Sequence, residues 1–260
     1  MEGGMRAYLR LIKFHYHGTF FSVIFGALSF SQGSILSLLW SLVLLYLSFN
    51  VFLYGGIYTL NDLAECDSDR RHPLKRNRPI PSKAVSIRGA MVFGVIMIAL
   101  GLLSSFMFFG TTFFCVFLIF MALNGLYSVE ARGVPYLELV VNSSTHPVRY
   151  LMGVVLTGAK PPVQHLLAVF LVAFGFVCLR RLVEMDVDGW EARRTLMHYS
   201  RRGLLILQFF AFTGLLALFA SDALMSKALF LTAIPIYVLL VFGTQISSNA
   251  RELLQTIWLR

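Results

Sequence analysis

Eight mostly apolar stretches follow one another along this chain, near residues 14–30, 35–58, 88–108, 111–128, 136–157, 163–183, 203–220 and 227–246. A helix that crosses the hydrocarbon core of a bilayer needs about 20 predominantly apolar residues, and each stretch is of that order. Inside lipid a backbone must satisfy its own hydrogen bonds, which leaves helices for segments of this length. Short polar breaks at Ser31-Gln32-Gly33-Ser34, Gly110-Thr111-Thr112, Gly133-Val134-Pro135, Ala159-Lys160-Pro161-Pro162 and Ser221-Asp222 separate them, with Gly and Pro as the expected punctuation. The predicted fold is therefore all-α, a polytopic transmembrane helical bundle of about eight spans, in one domain over residues 1–260. Composition agrees: 57% of the 260 residues are hydrophobic and 13% charged, against about 25% charged in an average soluble domain.

The net charge of +9 would suit nucleic acid, but its distribution excludes that partner. The segments 59–88, 129–135 and 180–202, with the two termini, hold 19 of the 22 Lys and Arg. Basic residues stay on the cytoplasmic side of membrane proteins, so both termini and both long polar loops are predicted to be cytoplasmic. Arg6, Arg10 and Lys13 before an apolar run resemble a signal peptide; seven further spans make a retained first span the expectation. The loops 59–87 and 184–202 each follow an even-numbered span, four spans apart. That spacing predicts two related four-helix halves, each offering one polar loop to a shared cavity. Cys66, Cys115 and Cys178 form no CxxC and read as ordinary small side chains rather than a disulfide or zinc framework.

The loop after the second span carries chemistry. Asn61, Glu65 and Asp69 recur at i, i+4 and i+8, which on a continued helix puts them within about 80° of one another. Asp62 borders that sector and Asp67 points away. Carboxylates gathered on one face repel unless a cation joins them. Hard oxygen ligands suit Mg²⁺, which binds through one or two carboxylates plus substrate phosphates. The basic run beyond them, Arg70, Arg71, Lys75, Arg76 and Arg78, suits phosphate oxygens. Acid for metal and base for phosphate describe a diphosphate site.

After the sixth span, Glu184 and Asp188 are again four apart and share a face of a continued helix, with Asp186 on the far side and Arg180 and Arg181 at the membrane edge. A second acidic pair is what a two-metal clamp on a diphosphate needs. The fifth span holds a polar stripe, Glu138, Asn142, Thr145, His146 and Arg149, within about 100° of a helical wheel. Intramembrane ionisable residues face a cavity or a partner, so the stripe reads as a pocket wall, and Asn50, Tyr54 and Asn61 of span two share a face that would make the opposite one.

These motifs resemble the UbiA superfamily of intramembrane prenyltransferases. Its first motif, NDxxDxxxD with a basic stretch ending in RPI or RPL, is matched by Asn61-Asp62, Glu65, Asp69 and Arg78-Pro79-Ile80-Pro81, with Glu65 for the middle Asp. Its second, DxxxD, is matched by Glu184 and Asp188 with Thr195-Leu196 at the family distance, Glu184 standing for the first Asp. Tyr127-Ser128 and Arg132 look like the family's YS…K element. The resemblance implies an all-helical fold with a central cavity, Mg²⁺ bridging a diphosphate to both acidic motifs, and a side open to lipid. It assigns metal ligation to Asp62, Glu65, Asp69, Glu184 and Asp188, with Asp62, Asp69 and Asp188 catalytic. Substrate contacts fall to Asn61, Lys75, Arg76, Arg78, Tyr127, Arg132, Asn142, Arg149 and Arg181. The family commonly has nine spans, and this chain ends at Trp258-Leu259-Arg260 after the eighth, so an oligomer or a divergent member is the expectation.

The resemblance implies a Mg²⁺-dependent transferase that moves an isoprenyl group from a prenyl diphosphate to a small or lipid acceptor and releases pyrophosphate. A second branch competes. His72-Pro73-Leu74-Lys75-Arg76-Asn77-Arg78-Pro79-Ile80, Arg149-Tyr150-Leu151-Met152-Gly153 and Arg180-Arg181-Leu182-Val183-Glu184 are similar to decaprenyl-phosphate phosphoribosyltransferases, which implies phosphoribosyl transfer to a polyprenyl phosphate. A multi-span transporter is the rival from another class; its key polar residues would lie near the bilayer midplane, whereas these clusters lie at one surface.

Overall fold

The computed structural model describes residues 4–71, 75–129, 133–160, 163–186, 194–221 and 228–258, and among them every regular element is a helix. The chain divides into two compact units, residues 1–122 with 156–158, and residues 123–155 with 159–260.

In the first unit, α1 (Gly4–Leu11) is a short amphipathic helix with Ala7 and Leu11 turned inward. Lys13, in the left-handed region at φ 54°, breaks the chain away from it into a 3-10 stretch (Phe14–Phe20) that runs into α2 (Phe21–Phe30). The second apolar stretch is one continuous 30-residue helical run: α3 (Ile35–Leu45), a π-helical stretch (Tyr46–Tyr54) and α4 (Gly55–Ala64). It continues past the predicted end at residue 58 and carries Asn61 and Asp62 on its last turn. α5 (Cys66–Arg71) comes after a kink at Glu65.

α6 (Ile87–Phe109) starts where Ser86 accepts a hydrogen bond from the Gly89 amide at 3.0 Å, an N-cap that satisfies an otherwise orphaned donor. It ends at Gly110, whose φ of 78° breaks the helix one residue before α7 (Thr111–Val129). α6 lies against the π-helical stretch and α4 so closely that a Cβ at Gly101 would stand 2.7 Å from the Leu53 amide nitrogen, and one at Gly56 would stand 2.8 Å from the Gly94 carbonyl. Small residues at such crossings substitute backbone contact for side-chain packing, the usual device between helices in lipid.

The second unit contains α8 (Leu137–Leu156), α9 (Val163–Glu184) and α10 (Arg201–Ala220). It continues through α11 (Ala228–Tyr237), a π-helical stretch (Val238–Phe242), α12 (Gly243–Ile246) and α13 (Ser248–Trp258). Gln208 of α10 donates to the Gly175 carbonyl of α9 at 3.2 Å, and the Tyr237 hydroxyl donates to the Gln208 carbonyl at 2.7 Å, which ties α9, α10 and α11 together through polar groups that lipid cannot satisfy. Outward faces are as apolar as inward ones: Val92, Val95, Leu103 and Phe106 on α6 and Phe209 and Phe210 on α10 are all exposed. Such surfaces fit an integral membrane protein.

The count of eight spans is not met on length and apolarity. Among the described residues five helical runs qualify: 35–64, 87–109, 111–129, 163–184 and 201–220; a sixth is reached if 231–246 and 248–255, bent by 103°, count as one. The predicted first span falls short because Phe14–Phe20 is 3-10 and only ten residues of α-helix come after it. The predicted fifth exists as α8, but Glu138, Asn142, His146 and Arg149 on it lower its apolarity.

Candidate active site

The first acidic cluster forms within the first unit. Backbone bonds from the Glu65 amide to Asn61 O (3.0 Å) and from the Asp69 amide to Glu65 O (2.9 Å) carry the i, i+4 pattern across the kink between α4 and α5. Asp62 and Asp69 are both 2% exposed. Asp67 points outward, as its position on the wheel predicts, and pairs with Arg70 at 2.9 Å.

The buried carboxylates are ringed by cations. Arg78 Nη1 lies 3.1 Å from Asp62 Oδ1, 2.8 Å from Asp69 Oδ2 and 3.9 Å from Glu65 Oε2. Lys75 Nζ stands 3.9 Å from Asp69, and Lys13 Nζ 2.6 Å from Asp62. Buried charges persist only when paired in this way. In the sequence Lys13 reads as a topology charge alone; no local spacing links it to Asp62, 49 positions on. Its ammonium also sits 5.2 Å from the Tyr58 ring centroid, within cation–π range. Burial pulls the Lys13 pKa below its ordinary value, with the Asp62 charge opposing that shift.

Arg78 is aimed by the segment on its C-terminal side. The Ser82 amide donates to Arg78 O and the Val85 amide to Pro79 O, both at 3.0 Å. Ile80, 1% exposed, and Val85 are buried in a cluster with Ala7, Leu11, Cys66 and Ala90. The Pro-Ile-Pro segment thus plugs the basic loop into the apolar interior beside α5 and leaves Arg78 over the carboxylates. Arg76 is exposed, and Asn61 and Lys75 are half-buried.

The second unit holds a different arrangement. Arg181, 1% exposed, donates from Nε to Glu138 Oε1 at 2.9 Å and from Nη1 to Glu184 Oε2 at 2.6 Å. Arg180 Nε donates to the other Glu184 oxygen at 3.0 Å. The Tyr199 hydroxyl donates to Glu138 at 2.9 Å and accepts from the Tyr136 amide at 3.1 Å; burial pushes the Tyr199 pKa upward. Glu138, expected on a pocket wall, and Arg181, expected on substrate, therefore meet each other inside the unit. The pairing joins α8 to the end of α9 across 43 positions, which no helical wheel of one segment reveals.

α9 ends at Glu184, and Asp186, in the turn after it, pairs with Arg201 and, at 3.3 Å, with Arg251. Asp188 and Arg132 lie outside the described residues. Arg149 is buried, donating to Thr145 Oγ1 at 2.8 Å, and Asn142 and Tyr127 are half-buried.

Among the described residues no three His, Cys, Asp or Glu side chains are spaced to hold a metal ion by themselves. Mg²⁺ asks for less: one or two carboxylates, the remaining positions filled by water and phosphate oxygens. Oxygens of Asp62, Glu65 and Asp69 converge on one cationic atom, Arg78 Nη1. That donor set is hard and anionic and points at a single place, so these residues fit the ion.

The family model of the UbiA prenyltransferase family matches residues 19–255. The nodulation protein NoeC of Azorhizobium caulinodans is 32% identical over 143 residues, 54% of this chain and 46% of that protein. A decaprenyl-phosphate phosphoribosyltransferase of Corynebacterium glutamicum is 29% identical over 163 residues, 59% of this chain and 48% of its own. The chain thus spans about half the length of these curated relatives. A UbiA homologue from Archaeoglobus fulgidus, solved with GPP and Mg²⁺, superposes with a TM-score of 0.77 over 96% of this chain and 95% of its own, at 19% identity. At that identity the likeness is one of fold.

Proposed function

The chain belongs to the UbiA prenyltransferase family, and from that premise we propose that it is a Mg²⁺-dependent intramembrane transferase that moves an isoprenyl group from a prenyl diphosphate to a small or lipid acceptor and releases pyrophosphate. The observation that carries the reading is the convergence of Asp62, Glu65 and Asp69 on one cationic point beside Lys13 and Lys75. The structure of the Archaeoglobus homologue with GPP and Mg²⁺ supports it.

A diphosphate departs from carbon only when its growing charge is neutralised. Bound Mg²⁺ supplies part of that neutralisation as a Lewis acid on phosphate oxygens. Asp62, Glu65 and Asp69 would hold it, with Glu184 and Asp188 assigned to a second ion. Lys75, Arg76 and Arg78 would bind phosphate oxygens, and Asn61, Tyr127, Arg132, Asn142, Arg149 and Arg181 would contact or position substrate. The carbon left behind is cation-like, and an apolar surround keeps water from it until the acceptor attacks. The acidic loops and both termini face the cytoplasm in this reading, as the basic residues require.

One observation favours a second reading. The Corynebacterium relative is named a decaprenyl-phosphate phosphoribosyltransferase; on that pattern the donor is phosphoribosyl diphosphate and the acceptor a polyprenyl phosphate. The same charge logic serves both.

Detergent-purified protein given labelled prenyl diphosphate, or labelled phosphoribosyl diphosphate, with a lipid extract and Mg²⁺ separates them by which label enters lipid. Asp62→Asn and Asp69→Asn are expected to abolish turnover while leaving membrane insertion intact. Wild-type rates in either variant refute the assignment.

A further inference from the structure

We propose that Arg78 is an exchangeable counter-ion, so that a divalent cation and a diphosphate enter this site only together. The inference rests on the proposed diphosphate site and concerns what holds that site shut. Arg78 Nη1 lies 2.8 Å from Asp69 and 3.1 Å from Asp62. A Mg²⁺ ion bound to those oxygens would sit about 2.0–2.1 Å from each, where the guanidinium already stands. The ion and the side chain exclude one another.

Charge decides the rest. Three carboxylates, Asp62, Glu65 and Asp69, stand within 4 Å of three cations, Lys13, Lys75 and Arg78. Among the described residues these charges balance. A divalent cation entering alone must expel Arg78 toward a loop that already carries Arg70, Arg71, Lys75 and Arg76, and like charges close together repel. A diphosphate removes that obstacle, because its oxygens accept the displaced guanidinium in the fork geometry Arg prefers while also completing the metal's shell.

The side chains differ in their freedom to move. The Arg78 side chain is 23% exposed. Its backbone is held by Ile80 and Val85, so the guanidinium can swing while the loop stays in place. The Lys13 side chain is 11% exposed and fixed between Asp62 and the Tyr58 ring, so it remains as the permanent partner of Asp62. The ligand that opens the cluster is thus a diphosphate ester or pyrophosphate, whose two phosphoryl groups can take Arg78 and the ion separately.

The test uses the full chain in detergent, Mn²⁺ in place of Mg²⁺, free Mn²⁺ fixed with a metal buffer, and bound Mn²⁺ read by electron paramagnetic resonance with and without inorganic pyrophosphate. In wild-type protein pyrophosphate should raise Mn²⁺ affinity by roughly tenfold or more, and Mn²⁺ should raise pyrophosphate affinity by the same factor, since binding linkage is reciprocal. Arg78→Gln should bind Mn²⁺ alone about fivefold or more tighter than wild type, with the pyrophosphate effect reduced toward unity. Arg78→Lys, which keeps the charge, should fall between, and decides the matter with the wild-type coupling if Arg78→Gln does not fold. Mn²⁺ binding unaffected by pyrophosphate in wild type, or Arg78→Gln binding Mn²⁺ alone no better than wild type, overturns the proposal. Asp69→Asn should lose Mn²⁺ binding under both conditions. If it does not, the diphosphate site itself is wrong, a failure distinct from that of the exchange.

Discussion

Tyr199 and Glu138 illustrate how much a single hydroxyl carries beside a buried carboxylate. Glu138 is fully buried, and its oxygens accept from Arg181 and Tyr199. Tyr199→Phe should cost about 1–3 kcal/mol, the penalty of leaving a buried acceptor short of a donor, measured by thermal unfolding in detergent. The pKa shift fixes the pH dependence. Burial raises the Tyr199 pKa in the folded protein, so above the ordinary tyrosine value of about 10 the unfolded chain gives up a proton that the folded one keeps. Stability from Tyr199 is therefore complete below that value and is lost as pH climbs past it. Tyr199→Phe should not show that loss. At this scale the sequence is legible where spacing is local. Asp62, Glu65 and Asp69 keep a helical period, and Arg78 belongs to a dense basic run. Lys13 is not legible, because a Lys before a first span already has a reason to exist in the positive-inside bias. Glu138 and Arg181 are each visible as costly charges near apolar runs, but their pairing depends on how two helices cross.

The basic loop acts as an element because its middle is apolar. Ile80 is buried beside Cys66 and Leu11, and the loop's polar ends hang from that point. Ile80→Ala should cost about 2–4 kcal/mol as a core deletion and should weaken donor binding, seen as a raised KM with a smaller change in kcat, because Arg78 and Lys75 lose their aim. An unchanged KM in folded Ile80→Ala protein would show that the anchor does not position them. Most long helices are readable from unbroken apolar runs, and 87–109, 111–129, 163–184 and 201–220 fall close to their predicted bounds. The first stretch departs from its prediction because hydropathy does not register backbone geometry: nothing apolar distinguishes a 3-10 run from an α-helix at Phe14–Phe20. The last stretch ends at residue 246 as predicted, where the 103° bend begins, but hydropathy carries no information on the angle at which the chain continues.

For the whole molecule, the exposed apolar faces and the family membership make it an integral membrane protein. Its orientation is open to direct measurement. In a cysteine-free background, Ser68→Cys should react with a membrane-impermeant maleimide in inverted vesicles and Lys160→Cys in intact cells, both positions being exposed. The reverse pattern would turn the topology over and place the acidic loop outside. Fold class and division of charge are legible in the sequence because lipid imposes them on composition; the number of qualifying spans is not, because α8 trades apolarity for polar side chains, the first stretch is partly 3-10 and the last is bent.

Gly110 joins α6 to α7 by itself, and no charged side chain occurs from Gly89 to Val129. During biogenesis, then, nothing ionised between these two helices has to be hauled through the hydrocarbon. The two spans can enter the bilayer together, and the work of translocation falls on the other connections of the chain.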